Sequence, residues 1–163
     1  MNSISFVAAS SNSGKTTLIE KVVRILKRRS LRVAVIKHAS KGFDVDRKGK
    51  DSWKFREAGA DAVVLVGPDQ IAVIKNLDRQ PDDYGLEKMI GPVDLVIKEG
   101  FKTAGGARIE VFRSGVSAEQ PLCIRDRSFL ALVSDQQVDV GIPWFSLDDA
   151  EGVAAFLAAK FEL

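Results

Sequence analysis

Gly14, Lys15 and Thr16 close the segment "ASSNSGKTT", residues 9–17, which follows the apolar "ISFVA" and leads into the amphipathic "LIEKVVRILKRR". Residue types in this order suit one chemistry well. Successive backbone N–H groups can turn inward around a phosphate chain while the positive end of the next helix faces the anion. The Walker A pattern G-x-x-x-x-G-K-[ST] is met at every position but the first, where Ala9 stands for glycine ahead of Ser10, Ser11, Asn12 and Ser13. Small side chains let a phosphate approach the main chain, and Gly14 removes a Cβ that would crowd it. Lys15 would reach the β- and γ-phosphates, the Thr16 hydroxyl would bind Mg²⁺, and Thr17 completes the segment. Asn12 puts a side chain where a central loop glycine often stands, but asparagine tolerates positive φ better than most residues. The alternative is a plain strand-to-helix turn capped by serine or asparagine. The strand and helix on either side favour phosphate.

A nucleotide site also needs a carboxylate at the end of a neighbouring strand, to anchor Mg²⁺ or its water. "DLVIKEGF" supplies Glu99, directly before Gly100, whose missing side chain would let backbone approach a γ-phosphate. Asp44 and Asp46 are further candidates for metal or substrate, on one side of the chain if that segment is extended. His38, the single histidine, follows the second strand at the end where α/β sheets bind ligands. No N/T-K-x-D guanine signature occurs, and Asp135 of "SD", after a late strand, is the carboxylate best placed to read the guanine N1 and N2 donors. Trp53 and Phe55 read as packing residues of a second helix, with base stacking as the other use.

The elements that must position these groups follow from hydrophobic period. Residues 4–8 read as a buried strand, 16–29 as a helix with Leu18, Ile19, Val22, Val23 and Leu26 inward, and 31–37 as the next strand. Strand, helix and strand in so short a span make a βαβ unit with parallel strands and a right-handed crossover. A polar stretch without period, residues 38–50, precedes a short helix at 51–60 with Asp51 or Ser52 as N-cap and Gly59 as its stop. "DAVVLV" and "IAVIKN" flank Gly67-Pro68-Asp69-Gln70 as a β-hairpin, giving the sheet an antiparallel portion. A helix at 81–90, strands at 93–100, 108–114 and 128–135, and a closing helix at 148–161 complete the chain. Ser146 and Asp149 stand at capping-box spacing before that last helix. The expected fold is one α/β P-loop domain over residues 1–163, a mostly parallel sheet flanked by helices with a hairpin extension.

Composition bounds what such a domain does. Hydrophobic residues make up 45% and charged residues 28% of 163, the balance of an ordinary globular protein. A net charge of +2 draws the chain neither to nucleic acid nor to an anionic membrane, although basic residues gather between Lys21 and Lys54. Cys123 is alone, so no internal disulfide forms, and a small buried hydrophobe is expected there. No apolar run has the length of a membrane span and "MNSISFVAAS" lacks the positive start of a signal peptide, so a cytoplasmic location is expected.

"SGKTTL", "RVAVIKH", "FDVDRKGKDSWKFREAGA", "DLVIKEGFK", "RIEVFR" and "ALVSD", in this order and at these separations, resemble the molybdopterin-guanine dinucleotide biosynthesis protein B (MobB) family over nearly the whole chain. The D-x-D-x-x-GKDS, R-x-AGA and EGFK motifs are far more specific than the P-loop. The resemblance implies a GTP-binding accessory of molybdenum cofactor maturation, at the step that joins a GMP unit to molybdopterin. It implies a homodimer that binds GTP and Mg²⁺ and hydrolyses GTP slowly, while a partner, MobA, performs the nucleotidyl transfer. Gly14, Lys15, Thr16 and Thr17 match the family's phosphate and Mg²⁺ residues, and Glu99 matches its Walker B-like acid. His38, Asp46, Lys50, Asp51 and Lys102 match further motif positions that substrate or partner would use. Family members commonly carry glycine where Asn12 stands, histidine where Ser40 or Lys41 stands, and an apolar residue where Lys98 stands. No arginine finger or positioning glutamine stands out, which fits slow hydrolysis. Two other readings stay open. One is a small-molecule kinase with Asp44 or Asp46 as base and the Arg47–Lys48 loop as lid. The other is a non-catalytic adaptor whose shape is set by nucleotide.

Overall fold

Strands buried on both faces of a parallel sheet tend to read as apolar runs, as Leu95–Ile97 and Phe129–Val133 do, while Ser3–Val7 and Arg108–Phe112 interrupt theirs with the buried Ser5 and Glu110. The computed structural model describes residues 1–79, 81–101, 105–116 and 120–163. In chain order its elements are β1 (Ser3–Val7), α1 (Lys15–Arg28), β2 (Val33–Lys37), α2 (Asp51–Glu57), β3 (Ala62–Val66), β4 (Ile71–Lys75), α3 (Asp83–Ile90), β5 (Leu95–Glu99), β6 (Arg108–Phe112), β7 (Phe129–Ser134), β8 (Trp144–Ser146) and α4 (Ala150–Phe161). Contacts divide the chain into two compact units, Met1–His38 with Glu87–Leu163, and Ala39–Leu86.

The first unit holds a six-stranded sheet in the order β2-β5-β1-β6-β7-β8, parallel at every pairing. On one core, Ile4, Phe6, Ile97, Ile109 and Val133 meet Leu18, Val22 and Leu26 of α1 and Val153, Ala154 and Leu157 of α4. Leu26 and Leu157 are fully buried, each contributing on the order of 2 kcal/mol. A smaller cluster gathers Val7, Cys123, Phe129 and Leu132. Phe129 and Leu132 share it because the β6–β7 register shifts between Arg108 and Ile109, which breaks strict alternation along β7.

The βαβ start and the later strands stand close to where the sequence places them, and β8 is the addition. Its three residues, Trp144–Ser146, are too few for a period-2 signal and become a strand only by pairing with β7. The α4 cap also differs from expectation. Asp149 is itself the N-cap, its carboxylate accepting the Gly152 N–H at 2.8 Å, so Ser146 and Asp149 form no capping box. Lys98, in β5 between Ser5 of β1 and Ile36 of β2, is 6% exposed and central to the sheet.

In the second unit β3 and β4 pair antiparallel around a turn closed by Gly67 N–H to the Gln70 carbonyl at 2.9 Å. The hairpin is as read, but it forms a sheet of its own and adds no strand to the larger one. α2 starts after Lys50, whose extended backbone makes it the N-cap in place of Asp51 or Ser52, without a side-chain bond. Gly59 ends the helix at φ 95°. Phe55 is 59% exposed, contrary to a packing role, because the seven-residue helix turns that side outward.

Candidate phosphate-binding site

All six strands of the larger sheet run the same way, so their carboxyl ends gather at one edge, where open α/β sheets bind ligands. β1 delivers the Gly-Lys-Thr loop to that edge, β5 delivers Glu99, and the ends of β6, β7 and β8 deliver Arg113, Asp135 and Ser146. The sequence reading names the first two and Asp135. Nothing local in it shows that Arg113 and Ser146 stand beside them.

The loop has the backbone of a cradle. Asn12 sits at φ 61° and Gly14 at φ 92°, left-handed values that cost an ordinary residue about 1–2 kcal/mol and that asparagine and glycine meet at less strain. α1 opens with Gly14 as N-cap, no side-chain cap bond and no acidic residue in its first turn. Its first N–H groups therefore remain donors for an anion. Lys15 folds back on the loop, with Nζ 3.3 Å from Ser13 Oγ and 3.5 Å from the Ser10 carbonyl.

Glu99 closes the other side. Its carboxylate is almost fully buried, accepts a hydrogen bond from Thr16 Oγ1 at 2.7 Å and pairs with Lys37 Nζ at 3.3 Å. This contact spans 83 positions of sequence and joins the two residues expected to serve Mg²⁺. A hydroxyl and a carboxylate in contact are hard oxygen donors of the kind that cation takes. Among the described residues no three His, Cys, Asp or Glu side chains form a metal cage. Gly100 follows at φ 91°, where an added Cβ would lie 3.4 Å from the His38 carbonyl.

Residues 11–17, Glu99 and Arg113 line a cleft of about 530 Å³. A second cavity of about 340 Å³ shares Gly14, Thr17 and Arg113 with it and continues to Lys21, Asp135, Ser146 and Asp148. Asp135 accepts the Ser114 N–H at 2.9 Å and the Ser114 hydroxyl at 2.7 Å, one on each oxygen. Those bonds, the backbone one foremost and with help from the Arg113 charge, hold its carboxyl below the usual range. Each oxygen keeps a further lone pair for a donor in the cavity. A cavity of about 590 Å³ near the start of β6 and β7, lined by Arg108, Arg125 and Phe129, has greater volume but none of this phosphate chemistry.

The remaining predicted residues lie elsewhere. His38 donates its backbone N–H to the Glu99 carbonyl at 2.9 Å, and its ring lies 5.3 Å from that of Phe101. Asp44, Asp46, Lys50 and Asp51 belong to the second unit. Asp44 and Asp46 lie in no helix or strand. Asp44 Oδ1 accepts the Asp46 N–H at 3.1 Å, and Asp46 Oδ1 accepts the Arg47 N–H at 2.9 Å and the Ser52 hydroxyl at 2.8 Å. These local side-chain bonds occupy Oδ1 of both aspartates. Asp51 pairs with Lys54 at 3.2 Å. Trp53 is half-buried, with Lys48 Nζ 6.0 Å from its ring. Lys102 lies outside the described residues.

Residues 4–135 match the family model of molybdopterin guanine dinucleotide synthesis protein B, MobB. The chain is 32% identical over 157 residues to the molybdopterin-guanine dinucleotide biosynthesis adapter protein of Escherichia coli, covering 92% of this chain and 88% of that one. It is 32% identical over 149 residues to the protein of the same description from Haemophilus influenzae, covering 90% and 83%. Among solved structures, a molybdopterin-guanine biosynthesis protein B aligns over 99% of both chains with a TM-score of 0.73 and 36% identity. Bacillus subtilis MobB aligns over 97% of both with a TM-score of 0.74, and its 23% identity speaks for the fold alone.

Proposed function

The chain belongs to the molybdopterin guanine dinucleotide synthesis protein B family, and from that premise we propose that it binds GTP with Mg²⁺ and serves molybdopterin guanine dinucleotide biosynthesis as an accessory to a MobA-type nucleotidyltransferase. The observation that carries the nucleotide part is the Thr16–Glu99 contact at 2.7 Å beside a loop with left-handed Asn12 and Gly14. In this reading the loop amides and Lys15 hold the β- and γ-phosphates, while Thr16 and Glu99 hold the cation. When bound, Mg²⁺ neutralises charge between phosphate oxygens. The cavity with Asp135 takes the base, with the free lone pairs of the carboxylate facing the N1 and N2 donors of guanine. Turnover is slow, because the amide side chain of the described cleft is Asn12 in the cradle itself and no glutamine stands by to orient water.

The word adapter in the relatives' descriptions favours a second reading, in which nucleotide sets the shape of the protein for its partner without turnover. A second copy of the chain is the proposed occupant of the hairpin, where the cross-strand pairs Val64–Val73 and Val66–Ile71 leave four aliphatic side chains 52–79% exposed. The cytoplasm is the proposed location, consistent with no helix among the described residues being long and apolar enough to cross a membrane.

Titration of labelled GTP and ATP, with and without Mg²⁺, tests the reading. Lys15→Ala should weaken GTP binding by about a hundredfold, since it removes a charge-assisted bond from a desolvated phosphate. Equal affinity of the wild type for ATP would remove guanine selectivity, and an unaffected Lys15→Ala would remove the cradle. Phosphate release with and without molybdopterin and a MobA-type enzyme separates a slow GTPase from an adaptor, which releases none under any condition.

A further inference from the structure

Arg113 stands one residue beyond β6, and β6 pairs in parallel with β1, so the register brings it beside the loop into which β1 leads. It lines the phosphate cleft and the adjoining cavity alike. Its Nη2 comes so near Gly14 that a Cβ added there would lie 3.3 Å from it. The backbone that carries it is pinned at the next residue, where Ser114 gives both its N–H and its hydroxyl to Asp135 and so ties the end of β6 to the end of β7. Asp135 is thereby occupied with Ser114, and no hydrogen bond or ion pair engages the Arg113 guanidinium among the described residues. A permanent cation is held between two cavities, its charge felt by the Asp135 carboxylate while its N–H donors stay available.

We propose that Arg113 is a nucleotide-binding residue whose guanidinium receives the phosphate nearest the nucleoside, at the junction of the phosphate cleft and the base cavity. The inference rests on the nucleotide reading above and adds to it a residue and a ligand class. Loop amides, Lys15 and the Thr16–Glu99 pair serve the distal phosphates and cation, and of these groups only the loop residues Gly14 and Thr17 also line the cavity with Asp135. Arg113 alone of the cations lining the cleft also lines the second cavity. A planar fork can give two parallel N–H bonds to non-bridging oxygens, which an ammonium cannot. The ligand it selects is therefore a nucleoside 5′-phosphate chain that continues into the base cavity.

Calorimetric titration of GDP and GTP into the full-length wild type, Arg113→Ala and Arg113→Lys provides the test, with melting temperatures of the three proteins recorded without nucleotide. Affinity for both nucleotides should fall about tenfold or more in Arg113→Ala. Arg113→Lys should recover part of it, and the nucleotide-free melting temperatures should agree. Wild-type binding with Arg113→Ala within about twofold of it overturns this inference alone. Weaker binding accompanied by equal losses of nucleotide-free stability in both variants assigns the residue a structural role and overturns it too. A wild type that binds neither nucleotide removes the phosphate reading itself, and this inference with it.

Discussion

Glu99 illustrates how one side chain acquires a role from its surroundings. In the sequence it is the last acidic residue of an apolar run, and in the structure it is buried against Thr16 and Lys37. Replacing it by glutamine keeps an oxygen for Thr16 but takes away the charge that a cation and Lys37 would meet. Glu99→Gln should therefore lose about tenfold of the GTP affinity that Mg²⁺ adds while leaving GDP binding in chelator unchanged. Titrations at saturating Mg²⁺ and in chelator measure this, and an unaltered Mg²⁺ dependence counts against a cation at Glu99. Asn12 is the residue where sequence reasoning went furthest, since its positive φ follows from its position in the loop and is found at 61°. Cys123 is buried as expected, its thiol pushed up to about 12 by burial first and then by Glu110. Glu110 could not be foreseen. It sits fully buried in β6 because its carboxylate accepts the Leu122 and Cys123 N–H groups, both at 2.8 Å, from a segment twelve and thirteen positions away.

Between elements, β2 and β5 are joined at their starts by Arg32 and Asp94. The Arg32 N–H and Nη2 each donate to the Asp94 carboxylate at 2.7 Å, just before the two strands begin to pair. The side-chain bond from Arg32 comes first among the causes that hold the Asp94 carboxyl at about 2, below 3.8. A depressed carboxylate contributes stability that is present above its unfolded value and is lost as pH falls through its folded value. Any advantage of the wild type over Asp94→Asn should therefore be full at pH 6 and fade between about pH 4 and pH 2. Thermal melts across that range check it, and a difference that grows with acidity contradicts the sign. Arg32 is exposed and Asp94 partly so, and solvent screening makes the effect a small one.

For the whole molecule, the proposed homodimer is the property most open to direct measurement. Val64 and Val73 face each other across the hairpin and are 52% and 62% exposed. Charges there should convert a dimer to a monomer, so Val64→Asp with Val73→Asp should halve the mass found by light scattering after size exclusion. A wild-type monomer, or a variant of unchanged mass, removes the hairpin as the dimer contact. The left-handed turn at Asn12 and Gly14 between β1 and α1 was legible in the residues alone because what it requires is local: small side chains, an asparagine and a glycine between a strand and a helix. The α1 and β5 elements were legible for the same reason, since burial of one face or of both leaves a period in the chain. Strand order was not, nor β8, nor the meeting of Arg113 and Asp135 beside Gly14. A strand's pattern records how much of it is buried and says nothing of which neighbour buries it. That neighbour is chosen by pairing across long separations, and so the tertiary structure alone decided which side chains stand around the loop.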